Sequence, residues 1–366
     1  MAKKVLIAAV SSRPFVKAAA QAGYEVTAID VFADADTQRY AEHVYKVEYA
    51  NSGFEPQHFE AVLDSLDLSQ FEGFAYGSGF EAQPDLLARI QKRLPLIGNS
   101  PAVIQKLKYA PDFFALLTQL DIPHPEVGFD VLHNSDGWLC KEAGGSGGTH
   151  VLNAKAGVAL PQGHYYQRIK PGVPVSMLFA ADGQKIKVVG FNQQWIAPVT
   201  SKPYRYGGIV GHAELPVSIK QSMQEAAAKI VHAIGLRGMN SLDVVWNENE
   251  FWVLEINPRL SSTLDLYQSP NSNLFDLHRQ AIAGDLSHFP VIASTAKARN
   301  VLYALQDLTI PENFAWPEWT ADIPMPLSCI PHEQPICTVL AEAKTAHEAR
   351  DLVLARVQQL SELLFN

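Results

Sequence analysis

At residues 251–259 the chain reads Phe-Trp-Val-Leu-Glu-Ile-Asn-Pro-Arg, so polar and charged side chains appear where an apolar run ends. The apolar run predicts a β-strand, and because side chains alternate between the faces of a strand, Glu255 and Asn257 share one face. The run that precedes it predicts a second strand, joined to the first by the turn-forming residues 247–250. Antiparallel pairing across this turn can bring Asp243 opposite Glu255 and Asn257.

Two carboxylates and an amide oxygen form an all-oxygen cluster, which suits Mg²⁺ shared with substrate phosphates better than zinc or iron. Arg259 adds a cation where negative charge develops on a transferred phosphoryl group. Taken singly, an acidic side chain in a strand is usually a solvated surface charge, and Asn-Pro is usually a turn. The metal role is favoured because Glu255 and Asn257 directly follow apolar residues, where polar groups are rarely buried without partners. The sequence therefore predicts a metal site formed by Asp243, Glu255 and Asn257.

A glycine-rich segment follows a single lysine, Lys141. Its exposed backbone N–H groups can wrap an anion, and its residues are Gly144, Gly145, Ser146, Gly147 and Gly148. Glycine-rich stretches are more often linkers than phosphate-binding loops. The flanking strand and the leading lysine, which can bind phosphate as a point charge, favour the phosphate-binding interpretation. No Gly-Lys-Ser/Thr follows the glycines, which excludes a P-loop.

The first hundred residues alternate strand-like and helix-like segments, which predicts a doubly wound parallel sheet. Ligands bind beyond the carboxyl ends of such strands. The loops at these ends carry Ser11, Ser12, Arg13 and Glu81, which offer hydroxyls and a cationic fork to a carboxylate and an acid to an amine. The alternative is that these residues only cap the helices that follow. A dinucleotide fold is disfavoured because the first strand leads into Ser11 without a Gly-x-Gly-x-x-Gly turn.

The remaining patterns predict three regions in an α/β fold. Residues 101–120 are helical until the prolines of 121–125 break the pattern. Strand-like segments at 137–142, 165–169, 175–180 and 185–191 predict a small α+β lid. A helix at 218–234 then leads to the hairpin, and a final helix is expected at 346–364. We expect an N-terminal lobe (1–100), a middle domain with a mixed sheet (101–290, lid at about 123–170) and a C-terminal segment that packs on the core (291–366).

Composition limits the partners. The chain has 366 residues and a net charge of −9, which argues against DNA or RNA. No apolar run approaches the ~18 residues of a membrane-spanning helix. The three cysteines, Cys140, Cys329 and Cys337, match neither a zinc site nor a disulfide framework. The sequence therefore predicts a soluble cytoplasmic protein that acts on small molecules.

The metal cluster and the lysine-led glycine loop, in this order, resemble the ATP-grasp superfamily, which includes biotin carboxylase and the carboxylate–amine ligases. The resemblance covers about residues 1–290. It implies that the chain binds ATP and two Mg²⁺ ions, and that Lys141 contacts the phosphates. It also implies that a lysine of the preceding helix touches ATP, and Lys108 fits this position, with Lys106 as the alternative.

The same resemblance assigns the adenine hinge to Gln167, Arg168 and Ile169, with Gln167 in the side-chain role. Family members often hold the ribose with a glutamate seven residues after the hinge acid, where this chain has Pro174, so the ribose contact stays open. Shorter stretches at 77–81, 167–176 and 335–339 are similar to ATP-grasp proteins of methanofuran and tetrahydromethanopterin cofactor synthesis, such as tyramine–glutamate ligase.

The resemblance implies an ADP-producing ligase that activates a carboxylate as an acyl phosphate and joins it to an amine. Lys141 and Arg259 would be its catalytic residues, and a homodimer is compatible with it. Two alternatives remain open: carboxylation of the biotin carboxylase type and a regulatory ATP-binding protein without catalysis. The chain has no Met-Lys-Met biotin-carrier motif, which disfavours the first alternative.

Overall fold

The computed structural model describes residues 3–50, 52–248, 250–269 and 272–365. The N-terminal region forms a parallel sheet of five strands in the order β3-β2-β1-β6-β7. The strand β1 is a continuous apolar run because helices cover both faces of such a sheet. The elements are β1 (Lys4–Ala9), α1 (Arg13–Gln21), β2 (Glu25–Asp30), α2 (Ala35–Tyr40), β3 (His43–Lys46), β4 (Tyr49–Ala50), β5 (Gly53–Phe54), α3 (Pro56–Ser65), a 3-10 turn (Leu68–Gln70), β6 (Phe71–Tyr76), α4 (Pro84–Gln91) and β7 (Leu96–Ile97).

The helical pattern at 101–120 corresponds to two helices rather than one. These are α5 (Pro101–Lys108) and α6 (Ala110–Gln119), which meet at Tyr109. Pro111 explains the break, because its ring and missing N–H prevent a helix from continuing through it. The break leaves Lys108 in the last turn of α5.

The lid is a four-stranded antiparallel sheet without a helix between residues 123 and 170. The α+β lid predicted from the sequence is corrected in this respect, because residues 154–163, between its first and second predicted strands, include Gly157, Pro161 and Gly163 and form turns. The strands, in the order β10-β9-β11-β8, are β8 (Val127–Gly128), β9 (Trp138–Glu142), β10 (Val151–Asn153) and β11 (His164–Arg168).

The segments predicted at 175–180 and 185–191 belong to a larger, eight-stranded sheet instead of the lid. Its order is β16-β15-β12-β13-β14-β17-β21-β19, and its described pairs are all antiparallel, where a mixed sheet was expected. Three of these seven pairs join consecutive strands, which short connections make antiparallel. The elements are β12 (Val173–Asp182), β13 (Ile186–Ile196), β14 (Tyr206–Gly211), α7 (Val217–Ile234), β15 (Arg237–Trp246), β16 (Phe251–Asn257), a 3-10 helix (Ser262–Leu266), α8 (Leu274–Ile282), β17 (Ala296–Tyr303), β18 (Leu308–Thr309), β19 (Thr320–Ala321), β20 (Cys329–Ile330), β21 (Pro335–Ala343) and α9 (Ala346–Phe365).

The predicted α/β class, with a parallel N-terminal sheet and a separate lid and large sheet, is confirmed. Of the turn predicted at 247–250, Asn249 lies outside the described residues. The N-terminal lobe packs on the large sheet through α1, because Phe15 and Val16 share one buried cluster with Leu178 and Phe275. Within the described part of the chain, no helix has the length and apolar character needed to cross a membrane.

Candidate active site

A cavity of about 500 Å³ lies where the N-terminal sheet, the lid, the large sheet and the C-terminal strands meet. Ten of the residues predicted from the sequence line it: Ser11, Lys141, Gly145, Ser146, Gly147, Gly148, Asp243, Glu255, Asn257 and Arg259. The others lie behind its walls or outside them: Ser12, Arg13, Glu81, Lys108, Gly144, Gln167, Arg168 and Ile169. The cavity is therefore the place where the predicted metal and phosphate residues come together.

The acidic cluster follows from the register of the β15–β16 hairpin. Asp243 pairs directly with Glu255, and Ser241 pairs with Asn257, so the polar groups share one face of the sheet. Asn257 Nδ2 donates a hydrogen bond to Asp243 Oδ2 at 2.9 Å. Burial and the neighbouring Glu255 raise the pKa of Asp243 to about 7. The arrangement concentrates negative charge that calls for a cation.

Lys108 supplies a cation to this cluster. Its Nζ lies 3.2 Å from Glu255 Oε2 and 2.8 Å from Asn257 Oδ1, and the residue is only 9% exposed. Lys106, the alternative, is exposed. Burial alone would raise the pKa of Glu255, but Lys108 and Lys141 lower it, so Glu255 stays ionised.

The donor set fits Mg²⁺. The oxygens of Glu255 and Asn257 already bind a cationic group, and Asp243 lies beside them. Across the described ranges, no group of three or more His, Cys, Asp or Glu side chains is placed to hold a metal. A site with two carboxylates and one amide is typical of Mg²⁺, which keeps further positions for phosphate oxygens and water.

Lys141 is buried next to this cluster and reaches towards the hinge segment. Its Nζ donates to Gln167 Oε1 at 3.2 Å. Burial alone would lower the pKa of Lys141, but Tyr165 and Glu255 raise it, so the side chain stays charged. Gln167 is buried, and its Nε2 has no hydrogen-bond partner among the described residues. The lysine therefore orients Gln167 and leaves one of its donors unused.

The rest of the predicted hinge is engaged elsewhere. Arg168 Nη1 donates to Asp136 O at 2.6 Å on an exposed surface, and Ile169 N donates to Gly137 O at 2.8 Å. A contact between the Ile169 N–H and a nucleotide would require this backbone bond to open.

The glycine loop between β9 and β10 is packed against two neighbouring segments. Gly144 has φ +79°, and a Cβ there would lie 2.8 Å from Ala82 N. Gly148 has φ +70°, and a Cβ there would lie 2.0 Å from Tyr204 O. Tyr206 N also donates to Gly147 O at 2.8 Å. The glycines are required because the loop approaches backbone closely, which is not typical of a linker.

Arg259 forms an ion pair with Glu81. Its Nε lies 2.5 Å from Glu81 Oε1, and its Nη1 donates to Leu260 O at 3.1 Å. Glu81 Oε2 accepts bonds from the N–H groups of Gly79 and Phe80. Burial would raise the pKa of Glu81, but Arg259 lowers it below its usual range. Glu81 therefore orients Arg259, and it does not cap α4, whose N-cap is Gln83.

Arg13 is not a free cationic fork. It is 2% exposed, and its Nε and Nη2 donate to Asp322 at 2.7 Å and Asp265 at 2.8 Å. Ser12 occupies the N-cap position of α1 without capping it, because its N and Oγ both donate to Asp30 Oδ2 at 2.6 Å. Of this loop, Ser11 lines the cavity, and its Oγ donates to Asp322 Oδ1.

The C-terminal strands contribute cavity residues that the sequence analysis did not identify. Arg299 of β17 donates through Nη1 to Ser262 O at 2.9 Å, and its Nε has no partner in the described part of the chain. The available sequence signal is the alternation of small and basic residues at 296–299, which places Arg299 on the less buried face of β17. Further lining residues are Asp34, Trp195, Tyr206, Tyr303, Asp322 and Cys337.

The family model of the ATP-grasp domain matches residues 112–263, which carry the glycine loop and the metal cluster. This segment is an ATP-grasp domain. The chain is 24% identical over 242 residues to the arginine-specific large chain of carbamoyl phosphate synthase from Geobacillus stearothermophilus, and the match covers 58% of this chain and 22% of that one. A C-terminal section of the large chain from Aquifex aeolicus is 23% identical over 233 residues, covering 58% of this chain and 43% of that one. The chain thus spans less than half the length of these two relatives.

Solved structures share the fold at low identity. The biotin carboxylase domain of Hydrogenobacter thermophilus 2-oxoglutarate carboxylase has a TM-score of 0.74 and 13% identity, covering 97% of this chain and 89% of that one. L-amino acid ligase from Bacillus licheniformis has a TM-score of 0.69 and 13% identity, covering 98% and 97%. N5-carboxyaminoimidazole ribonucleotide synthetase from Thermotoga maritima has a TM-score of 0.65 and 13% identity, covering 97% and 98%.

Proposed function

We propose that this ATP-grasp protein is an ATP-dependent carboxylate–amine ligase. The γ-phosphoryl group of ATP passes to a substrate carboxylate, and an amine then displaces phosphate from the acyl phosphate to form an amide. The observation that carries the proposal is the binding of Lys108 between Glu255 and Asn257, beside Asp243 and next to the cavity that Lys141 and Arg259 line. This arrangement combines a cation-binding oxygen cluster with three nearby positive charges, as phosphoryl transfer requires.

Each charged residue has a separate task in this proposal. Asp243, Glu255 and Asn257 would hold Mg²⁺, which when bound neutralises phosphate charge. Lys141 binds a phosphate of ATP, and Lys108, which lies between Glu255 and Asn257, would also contact the nucleotide. Arg259 stabilises the transferred group, with its orientation fixed by Glu81 and Leu260 O. No side-chain nucleophile is needed, because positioning and charge neutralisation supply most of the catalysis.

The proposal assigns regions as well. Residues 1–100 recognise substrate, residues 101–290 bind the nucleotide with the lid at about 123–170, and residues 291–366 complete the cavity wall. ATP and two Mg²⁺ ions, a cytoplasmic location and a homodimer are parts of it that remain predictions. The narrower similarity to tyramine–glutamate ligase also remains a prediction.

Activation of bicarbonate is the second candidate. The Hydrogenobacter thermophilus biotin carboxylase domain, which shares this fold, is described in complex with MgADP and bicarbonate. The third reading, a regulatory protein without catalysis, is disfavoured because the oxygen cluster and all three cations are intact.

ADP release separates these candidates. The purified protein is incubated with MgATP and a matrix of amino acids, other carboxylic acids and amines, with bicarbonate added or removed and with EDTA as the control. A ligase releases ADP only when an acid is present and forms amide only with an amine. Bicarbonate-dependent release identifies the second candidate. If ATP binds but no acid, amine or bicarbonate stimulates ADP release, the regulatory hypothesis is supported.

Replacing Lys141 with Ala should raise the KM for ATP by about tenfold or more, because it deletes a phosphate contact that is already made before the reaction. The change also removes the partner of Gln167 Oε1. Steady-state kinetics at varied ATP concentration provide the measurement, and Lys106→Ala, which alters an exposed lysine, is the control. An unchanged KM would assign phosphate binding to another residue.

Replacing Gly148 with Ala should also weaken ATP binding, by about tenfold or more, because a Cβ cannot be accommodated 2.0 Å from Tyr204 O and the loop must shift. Gly147→Ala is a matched control, since Gly147 has φ +68° but a Cβ there meets nothing within 4 Å. Calorimetric titration with ATP compares the two variants. Equal affinities would show that the loop position does not control nucleotide binding.

A further inference from the structure

One end of the cavity is acidic and has no role in the phosphoryl-transfer proposal. Asp34 and Asp322 line this end, and Asp30 and Asp36 lie close to them. Asp34 follows the carboxyl end of β2, and Asp322 follows β19 in the C-terminal segment. The N-terminal lobe and the C-terminal segment therefore jointly form this part of the cavity wall.

The charges at this end are unbalanced. Arg13 pairs with Asp265, Asp322 and, at 3.5 Å, Asp36. Arg299 adds positive charge that lowers the pKa of Asp265 and Asp322, but the acids at this end still outnumber the cations. Asp30 accepts hydrogen bonds from Ser12 and from two backbone N–H groups. Asp36 accepts two from the backbone as well.

Asp34 differs from its neighbours. It is only 5% exposed, yet its Oδ2 has no hydrogen-bond partner among the described residues. Burial, together with Asp322, Asp30 and Asp36, raises the pKa of Asp34 to about 9. Asp34 precedes α2, but its side chain makes no cap bond. A buried carboxyl group without a partner is unfavourable, and with a pKa of about 9 it is neutral at neutral pH. A cationic ligand in the cavity would supply the missing hydrogen bond and the positive charge that stabilises the ionised form of Asp34.

The chemistry favours an ammonium group over a metal ion. No metal-holding group of three or more His, Cys, Asp or Glu side chains occurs within the residues that the structure describes, and Asp322 is already paired with Arg13. An ammonium group offers three hydrogen-bond donors and a unit charge, which matches one free carboxyl group and a second, partly engaged one. Phe15 and Phe32 line the cavity as well and provide an apolar surface for a carbon chain.

We propose that Asp34, assisted by Asp322, forms a subsite that binds the protonated amino group of a substrate. The inference deepens the proposed ligase function, on which its biological meaning rests, by assigning a positively charged amine to the substrate and locating where it is held. Binding itself can be tested without ATP.

The experiment measures binding of n-butylamine, 1-butanol and sodium butyrate to the full chain by ligand-observed NMR titration. These probes have the same chain length and carry a positive, no and a negative charge at neutral pH. The variants are Asp34→Asn, and Asp130→Asn as a control that removes an exposed acid. We expect n-butylamine to bind the unaltered protein and Asp130→Asn equally, to bind Asp34→Asn at least about tenfold more weakly, and to be preferred over both other probes.

Melting curves distinguish a binding role from a structural one. Asp34→Asn should melt at the same temperature as the unaltered protein or higher, because it removes an unpartnered acid. If Asp34→Asn is unstable, Asp34→Ala is measured in its place. The subsite is overturned if n-butylamine does not bind saturably or binds the Asp34 variant as tightly as the unaltered protein. It is also overturned if 1-butanol binds as tightly as n-butylamine, or if MgCl₂ alone binds in a way that depends on Asp34. Amine binding without any ADP release would leave the subsite intact and count against the ligase.

Discussion

Replacing Glu255 with Gln is expected to abolish ADP formation, with a loss of about 1000-fold or more, while the fold stays intact. The substitution keeps the size of the side chain but removes the negative charge that binds Lys108 and would bind Mg²⁺. It also changes the balance of charge with Asp243, the residue directly opposite.

Two measurements check this result. ADP release reports catalysis, and calorimetry of ATP with and without MgCl₂ reports the metal contribution before a substrate is known. Glu248→Gln is the matched control, because Glu248 is an exposed acid that follows β15 on the same hairpin. Glu255 is not a metal ligand if Glu255→Gln turns over normally, or if MgCl₂ changes its affinity for ATP as much as it does in the unaltered protein.

Replacing Arg13 with Ala should lower the free energy of unfolding by about 3–5 kcal/mol, because it leaves buried carboxylates without their cation. Burial alone would raise the pKa of Asp265, but Arg13 lowers it to about 2, so this acid is charged at neutral pH and depends on its partner. Asp322 depends on the same guanidinium.

Thermal and denaturant unfolding of Arg13→Ala provide the comparison. The control is Arg89→Ala, since Arg89 pairs with Glu60 on the surface, where such pairs contribute about 0–1 kcal/mol. If Arg13 instead binds substrate directly, Arg13→Ala should leave the free energy of unfolding unchanged and weaken substrate binding. Measuring both quantities on the same variant therefore decides between a structural and a substrate-binding arginine.

Local patterns were sufficient to predict the β15–β16 hairpin and its polar face. The apolar run before Glu255 and the turn before Phe251 lie within a few residues, so strand type, face and pairing partner could be derived from alternation alone. The glycine loop was predictable as a feature, but its close approaches to Ala82 and Tyr204 were not, because they depend on segments distant in sequence.

Long-range partners set the limits of prediction. Arg13 lies in a loop at the end of a strand, which suggested a ligand-binding residue. Only the fold shows that Asp265 and Asp322 accept the hydrogen bonds of its guanidinium group. Arg299 was not predicted, because a single arginine in an alternating strand is common on protein surfaces. It lines the cavity because β17 pairs with β14 in the large sheet. The break at Tyr109, in contrast, could have been inferred from Pro111 alone.

The pairing of Arg13 with Asp322 joins residues separated by 309 positions in sequence. A ribosome makes the N-terminal sheet first, but the second acceptor for this guanidinium is translated 309 residues later. Until residue 322 has emerged from the exit tunnel, Arg13 cannot complete its ion pairs. The N-terminal lobe therefore acquires its full set of Arg13 contacts only after most of the large sheet has been synthesised.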